Sequence, residues 1–442
     1  MSPEVDPVDA DETLPQRVNV VVIGGGIIGS CAAYYLAKTG LSVALCEKGV
    51  IGGEQSSRNW GWCRQTRRDP REIALAIESL RLWGGLNAEI EDDTGFRRAG
   101  IVFACSTDEE VASHEAWLEH ARPYQIDARM VSGADLDALL PGSTVRYKAA
   151  IHTVSDGRAE PSMAAPAVAR AARRLGAAVL TGCAVRELDL AGGKVAGVLT
   201  EKGRIACDSV ILAGGAWSRL FCDGLGLRLP QLKLIATVMR TTPLDGPPDH
   251  GLWTNKFAFR KRLDGGYSVA TSGTNTTELR PDSFRFFFDF LPAVRMEWKS
   301  LRPRIGRSFL DDLRTPRRPV PGRPSAYEQT RILDPDPSDA TNRRTKADLD
   351  AAFPAFKQAR IARQWAGSID VTPDAVPVIS PVHAVPGFFI ATGFSGHGFG
   401  VGPAAGRLAA DLVTGAPPLV DPAPFRFQRF TDGSRPRPYA GI

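Results

Sequence analysis

The chain has 442 residues, of which 43 % are hydrophobic and 23 % charged, with a formal net charge of +5. This length exceeds what one hydrophobic core usually serves, so two lobes are expected, and the composition excludes a fibrous, disordered or disulfide-framework chain. The mild positive charge permits an anionic ligand without demanding nucleic acid.

Residues 1–16, "MSPEVDPVDADETLPQ", are acidic, carry prolines and contain no apolar core, which predicts a disordered tail rather than a signal peptide or anchor. No run of about 18 apolar residues occurs, so no membrane span is expected. The seven cysteines form no Cys-x-x-Cys pair, and they read as buried free thiols in a reducing compartment, with the cytoplasm as the expected location.

The first structured element is "VNVVVI" (18–23), β-branched and apolar, as a strand buried on both faces should be. Gly24-Gly25-Gly26-Ile27-Ile28-Gly29 follows, opening the helix "SCAAYYLAKTG", and a second strand, "SVALCEK" (42–48), ends in Glu47 and Lys48. The spacing has a mechanism. Gly24 permits the tight turn, Gly26 lets the backbone approach a pyrophosphate, and Gly29 lets helix and strand pack closely. The free N–H groups at the helix start, around Ile28, face the phosphate charge. Glu47 stands where a carboxylate accepts from ribose hydroxyls and repels a 2′-phosphate, which favours NAD or FAD over NADP.

Further along, "PSMAAPAVARAARRLGAAV" (161–179) predicts an alanine-rich amphipathic helix, and residues 184–214 alternate like paired strands. "DSVILAGGAWS" (208–218) is another buried strand, running into Ala213, Gly214, Gly215 and Trp217. "KFAFRKRLDGGYSVAT" (256–271) predicts a hairpin around Asp264-Gly265-Gly266. Residues 295–323 hold Arg295, Lys299, Arg302, Arg304, Arg307, Arg314, Arg317, Arg318 and Arg323 among prolines. That run reads as a solvated segment, with docking of a partner or anionic ligand as the alternative. "WAGSIDVTPDAVPVIS" (365–380) and the strand "GFFIAT" (387–392) precede "GFSGHGFGVG" (393–402), and "GPAAGRLAADLV" (402–413) predicts a helix with Pro403 in its first turn.

Taken together, "VVIGGGIIG", Glu47, "QSSRNWGW" (55–62), "DGRAEPSM" (156–163), "LAGGAWS", "TPDAVPVI" (372–379) and "GFSGHGFGVGPAAG" (393–406) resemble the D-amino-acid-oxidase-like superfamily of FAD-dependent oxidoreductases, which includes glycine oxidase, sarcosine oxidase and D-amino acid dehydrogenases. The resemblance runs from about residue 18 to residue 415. It implies an α/β fold in which a Rossmann-like, glutathione-reductase-type FAD domain (17–92, 152–225, 362–430) is interleaved with a mixed β-sheet substrate domain (93–151, 226–361). Residues 431–442 are left as a C-terminal tail. It places Ser56, Ser57, Arg58 and Asn59 near the ring, Val185 at the adenine end, and Ala213, Gly214, Trp217 and Gly367 along the cofactor. It also lays Gly396, His397, Gly398, Phe399 and Gly400 beside the isoalloxazine, where aimed backbone N–H groups stabilise the charge of the reduced ring. Bare glycine backbone serves there because a Cβ would hold the chain off the ring.

The implied reaction is oxidation of the CH–NH bond of an amino acid or secondary amine, with hydride passing to flavin N5 and the imine hydrolysed. Arg64 is the expected grip on a substrate carboxylate, with Arg58 second, because a guanidinium offers two parallel hydrogen bonds. Trp62 would wall the pocket or pack in the core. His397 would bond flavin or substrate, or serve structure alone. No metal cluster is expected. No cysteine adjoins Thr372-Pro373-Asp374 and no histidine adjoins Ser56-Ser57, so the FAD is expected to be non-covalent. Sarcosine-oxidase-like members carry a lysine in a roofing strand, whereas this chain reads Gly266-Tyr267-Ser268, which leaves an electron-acceptor partner other than oxygen open. The alternatives are a hydroxy-acid or glycerol-phosphate-type dehydrogenase and a tRNA-modifying flavoprotein. No nucleic-acid-binding module is evident.

Overall fold

In a computed structural model of the chain, residues 3–272, 275–297, 301–320 and 323–439 are described. The apolar run at 18–23 supplies β1 (Val20–Ile23), and the glycine turn leads from it into α1 (Ile27–Lys38) and on to β2 (Val43–Cys46). Four more elements matter for the site before the C-terminal third: α2 (Ile73–Glu89), α3 (Pro161–Arg174), β3 (Ala178–Leu180) and β4 (Ser209–Leu212). The C-terminal third adds β5 (Val378–Pro381), β6 (Phe388–Thr392) and α4 (Gly398–Thr414).

These strands make one six-stranded sheet in the order β5-β6-β4-β1-β2-β3. All neighbours are parallel except the β5–β6 pair. Every residue of β1 and β2 is buried, as expected of strands covered on both faces. Helices α1, α3 and α4 pack together over the sheet. Close approach of α1 and α4 depends on glycine, since a Cβ on Gly406 would stand 2.4 Å from the Cβ of Cys31. The two chain segments that carry the glycine-rich loops thus end side by side although they are far apart in sequence.

A second, mixed sheet of ten strands lies against the first unit. Its centre is Leu232–Thr241, which pairs antiparallel with both Tyr267–Thr271 and the long strand Ile361–Val371. The hairpin expected at 256–271 is present as Phe257–Lys261 and Tyr267–Thr271. The alternating stretch 184–214 forms a separate three-stranded antiparallel sheet, Val185–Ala191, Lys194–Thr200 and Gly203–Ala206, before entering β4.

Two local expectations are corrected. The N-terminal stretch expected to be disordered runs along α3 and β3. Asp6 N–H donates to Ser162 O at 3.0 Å, Asp11 N–H to Val179 O at 2.7 Å, and Arg173 pairs with Asp11 at 3.0 Å. Its acidic residues meet the basic end of α3, a local complementarity that composition averages away. The last helix starts at Gly398, so Pro403 lies inside it. Side chains offset the disturbed ladder, because Gly400 O accepts from Ser79 Oγ at 2.8 Å and from Trp83 Nε1 at 2.9 Å.

In the basic segment, Arg317 reaches Asp223 and Arg280 pairs with Asp312. Lys299, and the side chains of Arg302 and Arg307, lie outside the described residues. Among the described residues, no helix is long and apolar enough to cross a membrane and no cluster of potential metal ligands occurs.

Candidate active site

A cleft runs from the β1–α1 turn to the start of α4. Gly24, Gly26 and Ile28 line one end, with Glu47 and Lys48 from the end of β2. Gly24 sits at φ +106°, and a Cβ there would stand 2.4 Å from Ala213 O, so only glycine fits where β1 and β4 deliver their loops to the same place. Glu47 accepts backbone N–H bonds from Gly25 and Gly49, both at 2.7 Å. Burial raises its pKa, partly offset by those bonds. A carboxylate has about four lone-pair sites, so acceptor capacity remains for a ligand hydroxyl. Ser56 Oγ accepts from Ile27 N–H at 2.9 Å, at the first turn of α1.

Val185, Ala213, Gly214 and Trp217 line the same cleft, as does Asn59. Trp217 Nε1 donates to Glu54 at 3.1 Å, and Lys48 pairs with the same carboxylate at 2.6 Å while its ammonium lies 4.6 Å from the Trp217 ring centre. Glu54 is a residue that motif reading passed over, although it directly precedes "QSSRNWGW".

At the other end of the cleft lie Gly396, Gly398 and Phe399. The loop that carries them is pinned by Asp370, whose carboxylate accepts from Gly393 N–H at 2.7 Å and Gln231 Nε2 at 3.1 Å. Its backbone carbonyl accepts from Ser395 N–H at 2.8 Å. Burial pushes the Asp370 carboxyl up to about 6. Neither Asp370 nor Gln231 was singled out from sequence. Asp370 lies two places before Thr372-Pro373-Asp374, which is the only signal that pointed there.

Several expected residues stand behind the cleft instead of lining it. Gly29 packs on the turn, since a Cβ there would stand 1.9 Å from Gly24 O. Gly367 abuts Gln55, and Gly400 abuts Trp62 O at 2.8 Å by the same measure. Ser57 is buried and donates to Glu54 O. Arg58 is fully buried, pairs with Asp334 at 2.5 Å and donates to Ala366 O, so its guanidinium ties the cleft wall to Ile361–Val371 and is not offered to a substrate. Trp62 is buried in an edge-to-face aromatic cluster, 5.3 Å from Trp60 and 5.8 Å from Phe103.

Arg64 is different. It is half-buried, donates to Thr66 O and lies 5.4 Å from the Phe103 ring centre. Among the described residues no carboxylate stands within ion-pair distance of it. Burial, with Arg68 beside it, holds its pKa well below the ordinary arginine value. Next to it, His397 Nδ1 stands 3.3 Å from an oxygen of Glu72, a carboxylate that is 0 % exposed. Burial first, and Arg68 second, lower the His397 pKa against the pull of Glu72.

Residues 19–412 match the family of FAD-dependent oxidoreductases. The chain belongs to it. This FAD-dependent oxidoreductase is 32 % identical to L-amino acid deaminase from Proteus myxofaciens, solved in complex with anthranilate, with a TM-score of 0.93 over 98 % of this chain and 97 % of that one. It is 26 % identical to a glycine oxidase from Pseudomonas aeruginosa over 416 residues, 92 % of this chain and 97 % of the relative. It is 24 % identical to a sarcosine oxidase subunit beta from Rhodobacter capsulatus, over 95 % of this chain and 90 % of the relative.

The cleft fits the cofactor the family name states. It is long, it opens with bare backbone at a helix N-terminus, and it ends at a second bare loop. At Gly396, with φ +82°, the nearest atoms to an added Cβ are 3.8 Å away on Ile369, so the glycine there answers to backbone conformation and an open cleft, not to a protein neighbour.

Proposed function

We propose that this oxidoreductase oxidises the Cα–N bond of an α-amino acid, giving an imino acid that water hydrolyses, with non-covalent FAD as the hydride acceptor. The FAD domain is assigned to 17–92, 152–225 and 362–430. Gly24, Gly26 and the start of α1 would hold the pyrophosphate, Glu47 the ribose, and Gly396, Gly398 and Phe399 the ring. When bound, FAD supplies a two-electron acceptor at N5.

The chain's own part is binding and electrostatics. Arg64 grips the substrate carboxylate and so fixes the Cα–H direction. The edge-to-face aromatic cluster of Trp60, Trp62 and Phe103 braces Arg64 and excludes water behind it. The first turn of α4, at the Gly396–Phe399 loop, faces developing negative charge with backbone N–H groups.

The carrying observation is Arg64: a half-buried, desolvated guanidinium beside the glycine loop with no acid partner among the described residues. The likeness to a deaminase of L-amino acids supports the substrate class. No lysine stands at Gly266-Tyr267-Ser268, which leaves an acceptor other than oxygen open. The test is an anaerobic screen of D- and L-amino acids, N-alkyl glycines, cyclic imino acids, opines and 2-hydroxy acids, read by flavin bleaching and followed by admission of air. Bleaching by 2-hydroxy acids alone would refute the reading.

A further inference from the structure

Glu72 has no place in the function described so far. It precedes the first turn of α2, its carboxylate is 0 % exposed, and both of its oxygens lack a hydrogen-bond partner among the described residues. A buried carboxylate in that state is costly and calls for a functional explanation. His397 Nδ1 stands 3.3 Å from one of those oxygens, itself buried with no aligned hydrogen bond, and Arg68 Nη1 is a third buried group without a partner. Arg68 is 2 % exposed and donates through Nε to Arg64 O. His397 sits between Gly396 and Gly398, the two loop glycines that line the cleft, and its side chain keeps 20 % exposure although Nδ1 has none to speak of. One ring nitrogen therefore faces a buried acid, while the rest of the ring retains access to solvent space.

We propose that Glu72 and His397 form a proton-uptake pair: His397 is neutral, with Nδ1–H held toward Glu72, while the cofactor is oxidised, and it binds a second proton at Nε2 when the cofactor is reduced. This rests on the FAD reading of the cleft. The charged groups around the ring are Glu72 from the start of α2 and Arg64 and Arg68 from the segment before it, with Asp156 acting on both arginines. Two arginines and burial keep the imidazole neutral at rest. Negative charge arriving on the other side of the glycine loop reverses that balance, and Glu72 fixes which nitrogen is free to take the proton. The step balances simply. The substrate Cα–H bond breaks with its electron pair leaving as hydride, the nitrogen lone pair forms C=N, and a proton shed by the substrate ammonium or by water forms the Nε2–H bond. Glu72 is a positioning residue in this scheme, because it acts through His397.

The experiment uses the full-length, flavin-loaded protein. Its reduction potential is measured against pH by dye equilibration, and the slope gives protons taken up per two electrons. The absorption spectrum of the reduced flavin tells whether any extra proton sits on the ring instead. The wild type should take up two protons over a window bounded by the His397 pKa values in the two states, with the reduced flavin anionic. H397Q and H397N should take up one throughout. E72Q should keep the two-proton window but shift it to lower pH. A wild-type slope in a flavin-loaded H397Q would overturn the pair and leave the FAD reading intact, and so would a neutral reduced flavin across the window. Wild-type protein that binds no flavin would overturn both. If E72Q fails to fold, the two His397 variants decide alone.

Discussion

Arg64→Met separates substrate binding from stability more cleanly than any other change in this molecule. The native guanidinium makes one hydrogen bond to Thr66 O and lies 5.4 Å from the Phe103 ring centre, with no carboxylate partner among the described residues. Losing that bond costs about 1 kcal/mol, and losing the ring contact about 0.5–1 kcal/mol. Removing a desolvated cation gives some of this back, so the net stability change should stay within about 1 kcal/mol. The cost to catalysis is much larger. Truncating one partner of a buried, hydrogen-bonded charge pair costs about 2–5 kcal/mol. At 1.4 kcal/mol per tenfold this is roughly 30-fold to 4,000-fold in the limiting reduction constant over Kd. The assay is anaerobic stopped-flow flavin reduction, comparing an amino acid with its decarboxylated amine, beside a urea melt. Only the amino acid should lose reactivity. An equal loss for the amine, or no loss for either, would refute the assignment of Arg64 as the carboxylate grip.

Gly24→Ala should strip the flavin, because a Cβ at φ +106° stands 2.4 Å from Ala213 O. Purified variant with a full complement of FAD by absorbance would contradict this. Arg260→Met should cost about 3–5 kcal/mol in urea unfolding, since it leaves the buried Glu160 without its bidentate partner and with only Arg262, at 3.8 Å, as a cation. Arg260 and Glu160 meet at 2.7 Å with side-chain exposures of 0 % and 5 %. Burial acts against the Glu160 charge, yet Arg260 and its hydrogen bonds outweigh it and depress the carboxyl pKa to about 2. The pair's contribution is therefore present above the unfolded value of about 4.3 and fades as pH falls through about 2. Asp370 has the opposite sign. Burial raises it to about 6, so its contribution is complete below about 3.9 and is lost as pH rises through about 6. In flavin-free protein, Asp370→Asn should gain on the wild type with rising pH, by up to on the order of 3 kcal/mol. Urea midpoints that show no such divergence would refute it.

The strand, turn and helix from Val20 to Lys38 were legible because each residue there answers to a local demand: β-branched side chains for a doubly covered strand, glycines for the turn, small residues for the helix interface. The loop at 393–400 was legible in part, since Gly396 presents bare backbone to the open cleft, whereas Gly393 and Gly400 answer to close packing against Thr372 and Trp62. Residues whose duty is set by partners distant in sequence could not be read this way. Arg58 and Arg64 lie in one short stretch, yet one is spent on Asp334 and the other is left without an acid. Nothing local distinguishes them, because Asp334 lies 276 residues from Arg58 in sequence. The acidic N-terminus misled for a related reason, since its partners on α3 and β3 are separated from it by more than a hundred residues.

The strand Ile361–Val371 connects these observations. Along its length it pairs with Leu232–Thr241 in the ten-stranded sheet, and near its end Asp370 anchors the loop that begins at Gly393. Midway, Ala366 O accepts from Arg58 and Trp365 donates to Arg58 O. One continuous backbone therefore fixes the ten-stranded sheet, the Arg58 segment and the glycine loop relative to one another. Hydride transfer needs reacting atoms about 3–3.5 Å apart, and small misplacements are expensive. A substrate held from Arg64 on the wall and a ring held by the loop can meet that tolerance only if the wall and loop move as one body. The buried bonds from Arg58 and Asp370 supply that coupling, which explains why the Arg58 guanidinium is committed to a place away from the cleft and the Asp370 carboxyl to the backbone of the loop.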